Sequence, residues 1–165
     1  MYTIAEIEKI IDGKFLISKN AAAVIEHLLI DSRKLLFPSS TLFFTIPGPR
    51  RQGNAFVRDL YNKGVKNFIV DSSFIFLEDD YPDANILLAA NVLDALQKLT
   101  AHHRKQFNTM PPGRQMPVIG ITGSNGKTIV KEWLHQLLQT DYTIVRSPKS
   151  YNSQIGVPLS VWQMN

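Results

Sequence analysis

Gly120-Ile-Thr-Gly-Ser-Asn-Gly-Lys-Thr128 is the stretch of this chain whose residue types and spacing can do chemistry. Glycines at 123 and 126 let backbone N–H groups approach phosphate oxygens, the Lys127 ammonium can neutralise β- and γ-phosphates, and the Thr128 hydroxyl can ligate Mg²⁺. Gly123, Ser124, Asn125, Gly126, Lys127 and Thr128 are therefore the candidate nucleotide contacts, with Lys127 the candidate catalytic residue and Thr128 the candidate metal ligand. The spacing departs from the general phosphate-loop pattern. Its four-residue gap would put the first glycine at 121, where Ile121 stands, and the glycine is at 120. The bland alternative, a glycine-rich turn between strand and helix, gives no reason for Gly-Lys-Thr at a first helical turn.

Such a loop needs a strand ahead of it and a helix behind. Pro117–Thr122 reads as a short buried strand, Thr128–Leu138 as a helix with Ile129, Trp133 and Leu137 as its inner face, and Tyr142–Val145 as a second strand. Two strands and one helix rarely fold alone, so this second domain, 117–165, is expected to be incomplete at Asn165. The Pro- and Gly-containing stretch 108–116 lacks apolar periodicity and reads as a linker.

Residues 1–107 carry the alternation of a small α/β domain. Thr3-Ile-Ala-Glu6 is a capping box opening a helix, and Gly13 suits the helix end. Phe15–Ile17, Val24–Ile30, Leu42–Ile46, Asn67–Val70 and Ile86–Ala89 read as strands. Phe56, Leu60 and Tyr61 share a helical face that ends at Gly64, and Asn91 caps a helix lined by Val92, Ala95, Leu96 and Leu99.

Composition narrows the function classes. A hydrophobic content of 44% can build a real core, and no apolar run approaches the length of a membrane span. The N-terminus does not read as an export signal, and the absence of cysteine excludes disulfides and is compatible with a reducing cytoplasm. The net charge of +4 permits an anionic ligand. The basic residues are scattered, with small groups at Arg50-Arg51 and Arg104-Lys105 and no interleaved aromatic platform, so nucleic-acid binding is not expected. Adjacent His102 and His103 would point about 100° apart on a helix, which suits a surface helix end better than a shared metal. Glu78-Asp79-Asp80 reads as a solvated turn, and Trp133 and Trp162 as core or interface residues. Oligomeric state is not legible.

The string Thr122-Gly-Ser-Asn-Gly-Lys-Thr128 resembles the ATP loop of the Mur ligases and their folate-polyglutamate relatives, whose pattern TG-x-N-GK-T replaces the general spacing. Asp31-Ser32-Arg33, Pro38, Leu42-Phe-Phe44 and Gly48 to Phe56 resemble the N-terminal UDP-binding domain of Mur ligases that handle longer peptide stems, a domain the folate enzymes lack. Asn152-Ser-Gln-Ile-Gly-Val-Pro158 is similar to the family's Asn-Asn-x-Ile-Gly-x-Pro segment, which holds the nucleotide-sugar substrate. Four positions depart from the family: Ile129 replaces a second Thr, Ser153 a second Asn, Gln52 an acidic residue and Asn54 a basic one.

The resemblance implies an α/β chain in which a small UDP-binding domain precedes the truncated start of a P-loop ATP-binding domain. It implies that Ser32 and Arg33 contact the UDP moiety, against the plain alternative of an Asx-type turn with an exposed arginine, and that Asn152 contacts the sugar. Arg50 and its neighbour Arg51 border the same UDP loop, as contacts or as ordinary surface arginines. The implied parent is a cytoplasmic ATP-dependent acid–amino-acid ligase of peptidoglycan precursor synthesis, with ATP and Mg²⁺ as cofactors. It would add D-alanyl-D-alanine to UDP-N-acetylmuramoyl-tripeptide through an acyl phosphate. The Asp31–Lys34 and Lys149–Gln154 versions also resemble members fused to an alanine racemase, whose pyridoxal phosphate would lie outside this chain. Two alternatives stay open: the diamino-acid-adding ligase of the same family, and a non-catalytic nucleotide-binding module. The chain alone is expected to be inactive.

Overall fold

The computed structural model of the chain describes residues 1–48, 53–108, 117–147 and 153–164. Two compact units emerge, Met1–Leu99 and Thr100–Asn165. The division falls within a long helix, whereas the proposed linker lies, after Asn108, outside the described residues.

The first unit opens with a two-residue strand β1 (Tyr2–Thr3) and helix α1 (Ile4–Ile11). The capping box forms as expected: Glu6 N–H donates to Thr3 Oγ1 at 3.3 Å, and Thr3 N–H donates to Glu6 Oε2 at 2.7 Å. Ile4, Ile7 and Ile11 fall on one face and are buried. The helix does not end on Gly13. Asp12 takes the left-handed position, φ 53°, and Gly13 N–H closes the turn on Glu8 O at 2.9 Å. Aspartate tolerates that backbone because its short polar side chain costs little there.

The sheet is built from β2 (Lys14–Ser18), β4 (His27–Leu29), β5 (Thr41–Phe44), β6 (Asn67–Val70) and β7 (Asn85–Leu88), in the order β2-β7-β6-β5-β4. β4, β5, β6 and β7 run parallel, and β2 adds an antiparallel edge. The central strands β5 and β6 are buried at every position, because helical layers on a parallel sheet leave neither face to water. Phe43 lies opposite Phe68, which lies opposite Ile86, and these join Val57, Leu60 and Val65 in the core.

The single strand expected over Val24–Ile30 is two. β3 (Val24–Ile25) pairs antiparallel with β1, while β4 pairs with β5. Glu26 between them donates its N–H to Ser40 O at 3.0 Å, so the chain changes partner at that residue. Helix α2 (Val57–Asn62) follows a 3₁₀ turn over Gly53–Phe56 and ends before Gly64, whose φ of 94° confirms its role as the stop. Helix α3 (Val92–Asn108) starts where Asn91 Oδ1 accepts from Leu93 N–H and Asp94 N–H, as its capping position requires.

The buried side chains of Asn67 and Asn85 share a network. Asn85 Nδ2 donates to Asn67 Oδ1 and to Asn20 O, and Asn85 Oδ1 accepts from the N–H groups of Lys19 and Asn20. That saturates the Asn85 amide and pins the chain leaving β2 to the start of β7.

The second unit contains the rest of α3, then α4 (Lys127–Leu138) and α5 (Gly156–Val161). Here two strand expectations fail. Among the described residues, neither Pro117–Thr122 nor Tyr142–Val145 forms a strand, and Val118 and Ile119 are exposed. Strands exist by pairing, and apolar runs without a partner ladder stay extended but unpaired. The expected inner face of α4 is also uncovered: Ile129, Trp133 and Leu137 are 56%, 63% and 72% exposed. α5 carries a proline, Pro158, which is tolerated because it occupies the first turn, where no amide donor is needed.

The core of the second unit lies instead around His103. His103 is buried, its ring 4.8 Å from that of Trp162 and 5.2 Å from that of Phe107, with Nε2 2.8 Å from Met164 O. The surface helix end expected for the histidine pair therefore holds for exposed His102 and not for His103. Burial disfavours the imidazolium and lowers the His103 pKa from its ordinary value.

Candidate functional site

Two places on the chain carry the residues singled out from the sequence. The first is at the carboxyl ends of the parallel strands, where open α/β sheets bind ligands. After β4 the chain turns at Asp31, whose Oδ1 accepts from Arg33 N–H at 3.2 Å and starts a 3₁₀ turn over Ser32–Lys34. Arg33 then grips the same carboxylate through Nε at 2.9 Å and Nη2 at 2.8 Å. This forked bond holds the Asp31 carboxyl at about 2, well below the usual aspartate range, and it raises the Arg33 pKa in return. The Asx-type turn is thus real, and Arg33 stays 87% exposed at its side chain. It also borders a cleft: Ile30, Asp31, Ser32, Arg33 and Phe56 line an open cavity of about 430 Å³.

The far wall of that cleft is the turn containing Phe56. It starts at Gly53, where a Cβ would lie 2.3 Å from the Thr45 carbonyl carbon, so only glycine lets the turn close on the end of β5. Asn54 Nδ2 bridges onward, donating to Asp71 Oδ1 at 3.0 Å and to Ser73 Oγ at 2.9 Å. Ser73 contributes most to keeping the Asp71 pKa below its usual value. Asn54 Oδ1 is buried without a hydrogen-bond partner. The loops after β5 and β6 are thereby tied together by residues that sequence reasoning had not assigned; the signal available was Asn54 standing where the resembled family carries a basic residue. Arg50, Arg51 and Gln52 lie outside the described residues.

The second place is the Gly120–Thr128 loop at the start of α4. Gly126 caps the helix in the left-handed region at φ 78°, and Gly123 has φ 146°. A side chain at Gly126 would meet nothing within 4 Å, so backbone conformation, not crowding, demands glycine there. The first helical bond runs from Val130 N–H to Gly126 O at 2.9 Å. A helix's leading amides point out of its end and carry partial positive charge, which makes this an anion-binding geometry. Lys127 folds its ammonium back over the loop onto the carbonyls of Gly123 and Ser124. Gly123, Ser124, Asn125, Gly126, Lys127 and Thr128 are therefore together on one exposed turn. Asn152 lies outside the described residues.

No cluster of His, Cys, Asp or Glu suited to a metal occurs among the described residues. Thr128 is compatible with Mg²⁺ all the same, because that ion commonly keeps several waters and takes its other oxygens from bound phosphates. Among the described residues no helix is long and apolar enough to cross a membrane.

The chain is similar to known proteins along most of its length. The family model of the Mur ligase middle domain matches residues 121–165. A UDP-N-acetylmuramoyl-tripeptide--D-alanyl-D-alanine ligase of Bacillus subtilis (strain 168) is 30% identical over 162 residues, 98% of this chain and 33% of its own length. The enzyme of the same name from Borreliella burgdorferi is 32% identical over 151 residues, 87% of this chain and 31% of its own length. Among solved structures, the UDP-N-acetylmuramoylalanyl-D-glutamyl-2,6-diaminopimelate--D-alanyl-D-alanyl ligase from Acinetobacter baumannii superposes with a TM-score of 0.81 at 25% identity, covering 99% of this chain and 34% of that one. The chain spans about a third of the length of these relatives.

Proposed function

We propose that this chain, which belongs to the Mur ligase family, serves ATP-dependent amide-bond formation, adding D-alanyl-D-alanine to UDP-N-acetylmuramoyl-tripeptide in peptidoglycan precursor synthesis. The observation that carries the reading is the Gly123–Thr128 turn at the N-terminus of α4, lying inside the stretch that matches the family model. The reading brings with it a cytoplasmic location, where ATP and a nucleotide-linked precursor meet.

In this proposal the loop amides and the end of α4 hold the phosphates of ATP, and Lys127 leaves the loop carbonyls to neutralise the transferring phosphoryl group. Thr128 holds Mg²⁺, which supplies charge neutralisation on the phosphates when bound. The stem carboxylate attacks the γ-phosphorus with release of ADP. The amine of D-alanyl-D-alanine then attacks the acyl carbon, and phosphate leaves. The Ser32–Arg33 turn takes the UDP end of the substrate, with Arg50 beside it, and Asn152 takes the sugar. Its two-unit organisation, 1–107 and 117–165 with a linker between, belongs to the same proposal.

Amide-shift mapping tests this division of labour. UDP is expected to perturb Ser32, Arg33 and Phe56, and ATP with Mg²⁺ the 123–128 loop. Arg33→Ala is expected to weaken UDP binding by about tenfold or more, the worth of a charge-assisted hydrogen bond. UDP shifts confined to the 123–128 loop would show the assignment to be wrong, and a diamino acid accepted in place of D-alanyl-D-alanine by the whole enzyme would favour the other ligase of the family.

A further inference from the structure

Strands β4, β5 and β6 are neighbours in the sheet, and the two that flank β5 are each followed by the same kind of turn. Asp71 Oδ1 accepts from Ser73 N–H at 2.9 Å after β6, as Asp31 Oδ1 accepts from Arg33 N–H after β4. The two carboxylates are then used differently. Arg33 locks that of Asp31, whereas that of Asp71 receives Asn54 from the Gly53–Phe56 turn. Ser73 Oγ donates its proton to Asp71 Oδ1 at 2.6 Å, so toward Asn54 it can only accept. Asn54 Nδ2 gives one proton to Ser73 Oγ at 2.9 Å and the other to Asp71 Oδ1 at 3.0 Å, the latter a charge-assisted bond. Two residues further along the same turn, Phe56 lines the cleft across from Arg33.

We infer that Asn54 is a positioning residue for this cleft: its two donated bonds hold the Gly53–Phe56 turn on the Asp71–Ser73 turn, and so set Phe56 in place across from Arg33. Gly53 seats one end of the turn against Thr45, beside the end of β5. One seat leaves a turn free to pivot. The Asn54 amide, with both its protons committed in fixed directions, removes that freedom before a ligand arrives. Asn54 therefore acts through Phe56, and it contributes affinity by preorganising the wall of the cleft. The inference rests on the proposed assignment of UDP to this cleft.

The test measures UDP and ADP affinities by calorimetry for the unsubstituted chain, Asn54→Leu, Asn54→His, Ser73→Ala and the double variant Asn54→Leu with Ser73→Ala. Leucine keeps the size of the side chain without its donors, and histidine can donate through Nδ1 from nearly the same place. Asn54→Leu is expected to weaken UDP about five- to tenfold, the scale of one lost charge-assisted bond, and to leave ADP within about twofold of the parent. Asn54→His should restore UDP affinity, which a role in general stability does not predict. Ser73→Ala should lose about threefold, the scale of a neutral hydrogen bond, and should shift the Phe56 amide resonance although the two residues are distant in sequence. The double variant should lose no more than Asn54→Leu alone, because both changes act through one contact. Unaltered UDP affinity in Asn54→Leu, no restoration by Asn54→His, or additive losses in the double variant overturn the positioning role and leave the cleft assignment standing. Should Asn54→Leu be unfolded by circular dichroism, Ser73→Ala decides in its place, and a parent-like UDP affinity and Phe56 amide there overturn the role. Absence of UDP binding to the unsubstituted chain overturns the cleft assignment and the inference together.

Discussion

At the scale of single residues, two positions decide what the carboxyl end of the sheet can hold. Arg33 is neither a free surface cation nor a buried one: it is locked bidentately on Asp31 yet exposed beside the cleft, so an incoming anion must compete with a carboxylate already in place. The forked bond holds the Asp31 carboxyl well below the usual aspartate range, so it is ionised near neutral pH and the competition persists there. Gly53 contributes by what it lacks. Because a Cβ there would lie 2.3 Å from Thr45 backbone atoms, which cannot yield as a flexible side chain would, Gly53→Ala is expected to cost about 1–3 kcal/mol, the range for overpacking. Urea unfolding followed by far-UV circular dichroism measures it, and a midpoint equal to the parent's would show that the turn moves away freely.

At the scale of elements, the contact between α3 and the end of α5 is expected to depend on a neutral His103. Burial depresses the pKa of His103, which makes the contact sensitive to acid. Above about pH 6.5 both folded and unfolded chains are neutral at this residue and the contact has its full stability; below it the unfolded chain takes up the proton first, and stability falls with pH until the folded group also protonates. Trp162, 4.8 Å from the His103 ring, reports the event. In a Trp133→Phe background its emission is expected to shift to the red as the pH falls below about 6.5, and His103→Phe is expected to remove that transition. A pH-independent signal in the parent would mean that His103 does not control the contact.

At the scale of the whole molecule, the chain spans about a third of the length of its relatives, and α4 leaves Ile129, Trp133 and Leu137 exposed. With ATP, Mg²⁺, UDP-N-acetylmuramoyl-tripeptide and D-alanyl-D-alanine, these 165 residues alone are expected to give no product although the first unit folds. Lys127→Ala is expected to change thermal stability little, since the side chain sits on an exposed loop where its loss removes surface contacts only. Product formation abolished by Lys127→Ala, measured by phosphate release and mass spectrometry, would show a complete active site within this chain.

What could be read from sequence is what is local or periodic. The capping box at Thr3, the stop at Gly64, the cap at Asn91 and the loop at 123–128 are each set by a few neighbouring residues, and the all-apolar β5 and β6 announce their burial. The α/β class was legible in those elements, and the family resemblance in the Thr122–Thr128, Asp31–Phe56 and Asn152–Pro158 stretches. Only the tertiary structure showed that Val24–Ile30 divides between two partners, that Asn54 joins Asp71 and Ser73, that His103 faces Trp162, and that Lys131 reaches Ser147. Pairing partners and long-range contacts join residues that are distant along the chain, and nothing in a local pattern records which of several compatible partners will be met. The apolar stretches at Pro117–Thr122 and Tyr142–Val145 show the same division from the other side: their composition suits strands, but a strand is a relation between two segments, and the ladder that would make them strands is not encoded in either one.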